Sequence, residues 1–92
     1  MANQVQTGGY KEIDATGVVS PIRGDLIGIF VSVASDTPTI TIGDSATGTP
    51  PYDLIISSFT PVAGTFYPIP ASYNTGLYIA IGGTVTATVM FA

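Results

Sequence analysis

The chain has 92 residues, of which 46% are hydrophobic and only 9% charged, a composition typical of a folded domain and not of a disordered segment. Its net charge is −4, and Lys11 and Arg23 are its only cations. Phosphate groups are bound by clusters of Lys and Arg, so we expect no binding to nucleic acid and none to an anionic membrane. Histidine and cysteine are both absent, which excludes disulfides and every catalytic nucleophile that needs either residue.

The N-terminal segment, MANQVQTGGYKEID, is polar and contains two adjacent glycines. This composition predicts a flexible N-terminal arm over residues 1–12, followed by a single domain over residues 13–92. The segment lacks the basic start and apolar core of a signal peptide, and no run reaches the roughly 18 apolar residues of a membrane span. We therefore expect the protein to be made in a cytoplasm.

Alternation of apolar and polar residues predicts strands along the first half of the domain. GVVS predicts a short strand, and DLIGIFVSVAS a longer one with Ile27, Ile29 and Val31 on the same face. SDTP predicts a turn, because Ser and Asp bond nearby backbone groups and proline fixes its own φ. Residues 26–34 and 39–43 are therefore expected to pair as a hairpin.

The second half of the chain continues this pattern. SATGTPPYD predicts a loop and residues 53–59 a strand, and the proline-interrupted TFYPIP predicts an edge strand or an extended connection. The final stretch, GLYIAIGGTVTATVMFA, predicts strands near 77–81 and 84–91. Gly82 and Gly83 are expected to join them through a two-residue hairpin turn.

About seven to eight strands without helical periodicity predict an all-β fold, a small antiparallel β-sandwich that is jelly-roll-like. The alternation also predicts which side chains are buried. The expected core consists of Ile27, Ile29, Val31, Ile40, Ile42, Ile55, Ile79, Ile81, Val85 and Val89.

Aspartates are the remaining candidates for chemistry, because paired carboxylates can hydrolyse glycosides. Asp36, Asp44 and Asp53 each lie at a predicted turn or strand end, where Asp commonly accepts backbone hydrogen bonds. Their spacing also lacks the density of oxygen ligands that calcium needs, although an ion shared between subunits stays open. We predict no catalytic residue, no cofactor and no metal site, so the protein is expected not to be an enzyme. The RGD at 23–25 matches an adhesion tripeptide, but three residues match easily by chance, and we interpret it as a turn at the start of a strand.

The aromatic side chains predict a core and a protein interface, because tyrosine is enriched where one end is apolar and the other wet. Contacts are expected from the arm with its extension (1–16) and from the loops at 44–53 and 60–75. The predicted interface residues are Tyr10, Tyr52, Phe66, Tyr67, Tyr73, Met90 and Phe91. The alternative is a carbohydrate-binding surface made of Tyr52, Tyr67, Tyr73 and Tyr78.

The order of these segments resembles small β-sandwich virion proteins of tailed bacteriophages. The likeness covers residues 13–91 and lies in DLIGIFVSVAS, TITIGDS, YPIPASYNTGLYIAI and the Thr/Val-rich closing strand. The resemblance implies a capsid decoration (cement) protein or another minor head protein, located on the capsid surface of a virion. The implied partners are the major capsid protein and the protein's own copies, with a trimer as one expectation. A place in a tail, fibre or connector stays open.

Overall fold

The structure is a computed structural model that describes residues 9–92, which form six β-strands and no helix. In chain order the strands are β1 (Gly9–Ile13), β2 (Gly17–Ser20), β3 (Gly24–Asp44), β4 (Asp53–Phe59), β5 (Thr65–Tyr73) and β6 (Leu77–Phe91). Every pairing between them is antiparallel. The predicted all-β antiparallel fold is confirmed, and its sandwich and jelly-roll-like detail stays a prediction. The described part of the chain has no helix able to cross a membrane.

Two long strands organise the sheet. β3 has 21 residues and β6 has 15, and they pair with each other along most of their length. β6 also pairs with β1 and β2, while β3 also pairs with β5 and β4. The first half-sheet contains β1, residues 84–91 of β6, residues 24–35 of β3, and β5. The second half-sheet contains β2, residues 77–82 of β6, residues 39–44 of β3, and β4.

An irregularity joins the two half-sheets. Ser35 pairs with Thr84 and Thr39 pairs with Gly82, so three residues of β3 lie opposite the single residue Gly83 of β6. Extra residues in one strand of a pair bend that strand without reversing its direction. Both long strands therefore continue through the junction.

The backbone at this junction explains why two predicted hairpins are wrong. Asp36 and Thr37 have φ angles of 59° and 53°, and Gly83 has 70°, all in the left-handed region that turns commonly use. Here these residues form a bulge, so SDTP and Gly82-Gly83 each lie within one strand. The two mergers and the additional strand β1 leave six strands in residues 9–92, instead of the predicted seven to eight.

The buried side chains of both half-sheets form one apolar cluster. The predicted core residues that are buried in it are Ile29, Val31, Ile40, Ile42, Ile79, Val85 and Val89. Ile55 and Ile81, also predicted, are partly buried and pack against the cluster. Leu26, Leu77 and Tyr73, with the smaller Val19 and Ala87, are the buried members of the cluster that the predicted core did not contain.

A bulge near the start of β3 makes one core prediction wrong. Leu26 pairs with Phe91 and Gly28 pairs with Met90, so Ile27 is an extra residue with no counterpart in β6. Leu26 is only 1% exposed, whereas Ile27 is 41% exposed. The extra residue places Leu26 in the core and Ile27 at the surface.

The first strand begins earlier than the predicted domain boundary. β1 pairs with the end of β6 in a continuous register from Gly9 opposite Phe91 to Ile13 opposite Ala87. Residues 9–12, which the sequence assigned to the arm, therefore belong to the sheet. The rest of the predicted arm, residues 1–8, lies outside the described residues.

Candidate protein-binding surface

The outer face of the first half-sheet, opposite the core, carries large apolar side chains. Tyr10 pairs with Met90, and Phe30 pairs with Phe66, so the members of each pair share a face. Tyr10 is 77% exposed, Phe66 44% and Phe30 38%. We call Tyr10, Phe30, Phe66 and Met90 the aromatic face.

Gly28 makes the aromatic face flat. It lies between Met90 and Pro68 in one cross-strand row. A Cβ atom at Gly28 would lie 2.6 Å from Cζ of Phe66, closer than real contacts allow. The Phe66 ring therefore rests on the backbone of β3, where a larger residue at position 28 would lift it.

The size of the aromatic face determines how strongly it can bind. An aromatic side chain can bury roughly 150–250 Å², so the exposed parts of the three rings amount to on the order of 300 Å². Apolar patches of this size on single-chain proteins are often functional. A stable complex buries about 800 Å² on each partner, so one such contact is expected to be weak.

The outer face of the second half-sheet is covered by the chain itself. The Tyr52 ring lies over Gly43, and the Tyr78 ring lies against Gly48 in the loop between β3 and β4. The two rings meet edge to face, with centroids 5.5 Å apart and an interplanar angle of 70°. Tyr52 is thus partly buried by contacts within the chain.

Two further predicted interface residues point toward the core. Tyr67 meets Phe59 edge to face at 5.2 Å, and its hydroxyl accepts the Val62 backbone N–H at 2.9 Å. Phe91 is partly buried and packs against the core cluster. The structure therefore places Tyr10, Phe66 and Met90 on one face and separates them from Tyr52, Tyr67 and Phe91.

Phe30 belongs to this surface but was not among the predicted interface residues. The signal was present in DLIGIFV, where both alternating faces are apolar. A strand that is apolar on both faces is either buried on both sides or exposes one of them. Here the second face is exposed.

A second apolar surface lies between β4 and β5. It is a groove of about 200 Å³ lined by Ile56, Phe59, Tyr67, Pro68 and Ile69. Within the described chain, β4 and β5 each pair only with β3, so both present a free strand edge. The five residues that line this groove are all uncharged.

The carboxylate of Asp44 organises the turn after β5. Its oxygens accept the backbone N–H groups of Asn74 at 2.8 Å, Thr75 at 2.8 Å and Gly76 at 3.2 Å. Partial burial acts to raise the pKa of Asp44, but the three N–H groups together hold it below its ordinary value. This is the turn role that the sequence predicted for Asp44.

Asp44→Asn is expected to lower the free energy of unfolding at neutral pH by about 1–2 kcal/mol, because the charge-assisted bonds are lost. The lowered pKa means that Asp44 stabilises the fold above roughly pH 4, and that this stabilisation is lost as the pH falls through the folded-state pKa. The difference between the variant and the wild type should therefore shrink in acid. Urea unfolding at about pH 7 and about pH 3 measures it.

Asp53→Asn is the matched control, since Asp53 is exposed and should change stability by about 0.5 kcal/mol or less. Equal losses in the two variants, or an Asp44→Asn loss that is independent of pH, would contradict the turn role.

The other two aspartates have different surroundings. Asp36 Oδ2 accepts the Thr84 hydroxyl at 3.0 Å. Asp53 pairs with Asp44 at the end of the sheet and lines an open polar groove of about 590 Å³, which Tyr52 also borders. In residues 9–92 no three acidic side chains are grouped so that they could hold a metal ion.

Tyr73 is a core residue and has almost no surface to offer a partner. It is 2% exposed, and its hydroxyl has no hydrogen-bond partner among the described residues. Burial raises the pKa of Tyr73, the charge of Asp25 raises it further, and the nearby Ser20 hydroxyl acts to lower it. Ser20 Oγ donates its own hydrogen bond to the Ile22 carbonyl at 3.3 Å.

Tyr73→Phe is expected to be neutral or stabilising by up to about 1 kcal/mol at neutral pH, because it removes a buried hydroxyl without a partner in the described chain. The raised pKa means that the wild type loses stability as the pH rises above the unfolded-state value of about 10, whereas the variant is spared this loss. Unfolding in urea at about pH 7 and about pH 10.5 tests both statements.

Tyr67→Phe serves as the comparison, because the Tyr67 hydroxyl does accept a hydrogen bond. It should cost about 0.5–1.5 kcal/mol at neutral pH. A larger loss for Tyr73→Phe than for Tyr67→Phe would mean that the Tyr73 hydroxyl is bonded after all.

These observations define a class: an antiparallel all-β protein with a flat, exposed aromatic face on one half-sheet. In comparisons with known proteins, no family model, no curated protein and no solved structure matches the chain.

Proposed function

We propose that this chain is a structural virion protein that binds a phage capsid surface as a decoration (cement) protein, without catalysis. The observation that carries the proposal is the aromatic face, an exposed apolar surface on an otherwise ordinary small β-sheet domain. The likeness of residues 13–91 to small virion proteins supports the same reading. The proposed partners are the major capsid protein and further copies of the chain, and the proposed location is the outside of the virion.

The mechanism is passive. A contact of on the order of 300 Å² is weak alone, but many copies on one shell act together because each holds the next at high effective concentration. A protein that binds the assembled shell more tightly than the separated subunits stabilises the assembled state by mass action. The groove between β4 and β5 is the proposed contact between neighbouring copies.

A carbohydrate-binding module or a fibre or tail component is the second candidate, and the open polar groove beside Tyr52 favours it. An aromatic ring next to hydroxyl and carboxylate groups is suited to stacking and hydrogen bonding with a sugar. Of the other tyrosines in that hypothesis, Tyr78 meets the Tyr52 ring, whereas Tyr73 is buried and Tyr67 packs on Phe59. A glycan array separates the candidates, since specific glycan binding that Tyr52→Ala abolishes would favour the second.

The direct test of the first candidate mixes the purified protein with capsids that lack it. Saturable binding at a fixed number of copies for each capsid is expected, together with a higher melting temperature of the capsid. A capsid from an unrelated phage is the control and should bind no protein. Absence of binding to any particle from the protein's own source would contradict the proposal.

A further inference from the structure

The charges around the aromatic face are nearly all negative. Glu12 lies in the same cross-strand row as Phe30, because Glu12 pairs with Thr88 and Thr88 pairs with Phe30. Asp25 is placed at one end of the face, where its Oδ1 accepts the Ser72 hydroxyl at 2.7 Å. We call Glu12, Asp25 and Asp36 the acidic rim.

Asp36 is part of the acidic rim because a contact with β6 holds it beside the outer side of that strand. Its Oδ2 accepts the hydroxyl of Thr84, which precedes Thr86 and Thr88 on the outer side of that strand. All three carboxylate residues are exposed. The hydrogen bonds of Asp25 and Asp36 come from hydroxyl groups, so these partners do not neutralise the two negative charges.

The two cations of the chain leave this charge largely unbalanced. Lys11 pairs with the buried Val89 and so lies on the inner side of the sheet edge, away from the aromatic face. Arg23 lies at the end of the face beside Asp25, where both line the same shallow depression. Among residues 9–92, neither Glu12 nor Asp36 has a Lys or Arg beside it on the aromatic face.

From this arrangement we infer that the aromatic face binds a different protein, whose contact surface is apolar in the centre and carries Lys or Arg around it, and not a second copy of this chain. Two copies meeting through this face would bring their acidic rims together, and like charges across an interface are unfavourable. Lys or Arg residues around the apolar centre of the partner's surface would instead be attracted to the acidic rim. The inference rests on the proposed function for its use of the aromatic face, and it adds the chemistry of the partner.

A synthetic probe tests the inference without a capsid. Beads that carry benzylammonium groups present an apolar ring and a positive charge, and beads that carry benzyl carboxylate groups present the same ring with a negative charge. The protein should bind the first beads and not the second. Asp36→Asn should weaken binding about three- to fivefold at low salt, and this loss should disappear near 0.5 M salt, where charges are screened.

Asp53→Asn is the matched control, because it makes the same chemical change on the second half-sheet. It should leave binding to the benzylammonium beads within about twofold of the wild type. Equal weakening by Asp36→Asn and Asp53→Asn would overturn the inference, since only total charge would then matter. Asn is well tolerated at the positive φ of residue 36, so the variant should fold.

Sedimentation of the protein alone supplies the second readout. Phe30→Ser with Phe66→Ser should leave the oligomeric state unchanged at low and high salt. Dissociation of an oligomer by this double variant would overturn the inference, because a second copy would then occupy the face. Failure of capsid binding with a positive bead result would contradict only the proposed function.

Discussion

Leu26→Ala is expected to lower the free energy of unfolding by about 2–5 kcal/mol, whereas Ile27→Ala should lower it by less than about 1 kcal/mol. Leu26 is 1% exposed and its neighbour Ile27 is 41% exposed, although the two are consecutive and similar in size. Truncating a buried leucine removes apolar contact and leaves a cavity, and neither cost applies at the surface. Urea unfolding of the two variants measures the difference.

Each variant serves as the control for the other, because both remove a similar apolar side chain. A difference in stability between them therefore reports the burial that the bulge determines, and not hydrophobicity. A small domain has only about 0.05–0.15 kcal/mol of stability per residue, so Leu26→Ala could remove much of the total. If it does not fold, Leu26→Val with an expected loss of about 1 kcal/mol keeps the comparison. A larger loss for Ile27→Ala than for the Leu26 variants would show that the bulge is wrong.

Phe30→Ser combined with Phe66→Ser is expected to weaken binding to capsids that lack the protein by at least about 100-fold. Central aromatic residues of an interface each contribute about 2 kcal/mol or more, and the two rings are direct cross-strand neighbours. Phe30 and Phe66 are each more than half buried against the sheet, so the free energy of unfolding should also fall, by on the order of 2–4 kcal/mol, and binding is measured where the variant remains folded. A binding isotherm by co-sedimentation and a urea titration give the two numbers.

Leu54→Ser with Val62→Ser is the matched double variant. Leu54 is 53% exposed and Val62 is 60% exposed, but neither lies on the aromatic face. This variant should bind within about threefold of the wild type. Comparable losses in both double variants would remove the aromatic face from the proposal and leave only general surface hydrophobicity.

The strands that the sequence predicted well are those whose signals are local. Residues 53–59 form β4 as predicted, because alternation and the flanking proline loop determine both ends. GVVS forms β2, and the proline-containing TFYPIP lies in β5, which within the described residues pairs on one side only. Proline lacks a backbone donor, so its place on an edge follows from its own chemistry.

Bulges could not be predicted, because they depend on the partner strand. Ile27 is an extra residue opposite β6, and a single extra residue exchanges the two faces of the strand. The same occurs at Ser32, after which Val33 becomes 44% exposed. Alternation in one strand cannot show such a shift, since the sequence of β3 is apolar on both faces in this region.

The two wrong hairpins have a related cause. Ser, Asp and Pro in SDTP, and the glycines of Gly82-Gly83, favour left-handed or turn conformations, and Asp36, Thr37 and Gly83 do adopt positive φ. The sequence thus predicted where the backbone leaves the extended conformation, but not the positive φ of Asp36 and Thr37. Whether such residues reverse the chain or bend it depends on the opposite strand, and here each turn-like segment lies opposite the other.

The sequence could predict which types of residue form the candidate surface, but it could not predict which of these residues lie together. Tyr10, Phe66 and Met90 are far apart in the chain and lie together because β1 and β5 flank the same pair of long strands. Tyr73 was assigned to the interface from its residue type alone. Exposed and buried residues alternate along β5, and Tyr73 lies on the side that faces the core. Assignment of these surfaces to a partner stays a prediction until binding is measured.

The most direct test of the central claim is a cryo-electron microscopy difference map between capsids with and without the added protein. We expect ordered extra density at symmetry-related positions of the shell, with the aromatic face of Phe30 and Phe66 against the capsid surface. The groove between β4 and β5 should face a neighbouring copy. Absence of ordered density, or density in which the aromatic face points to solvent, would contradict the account.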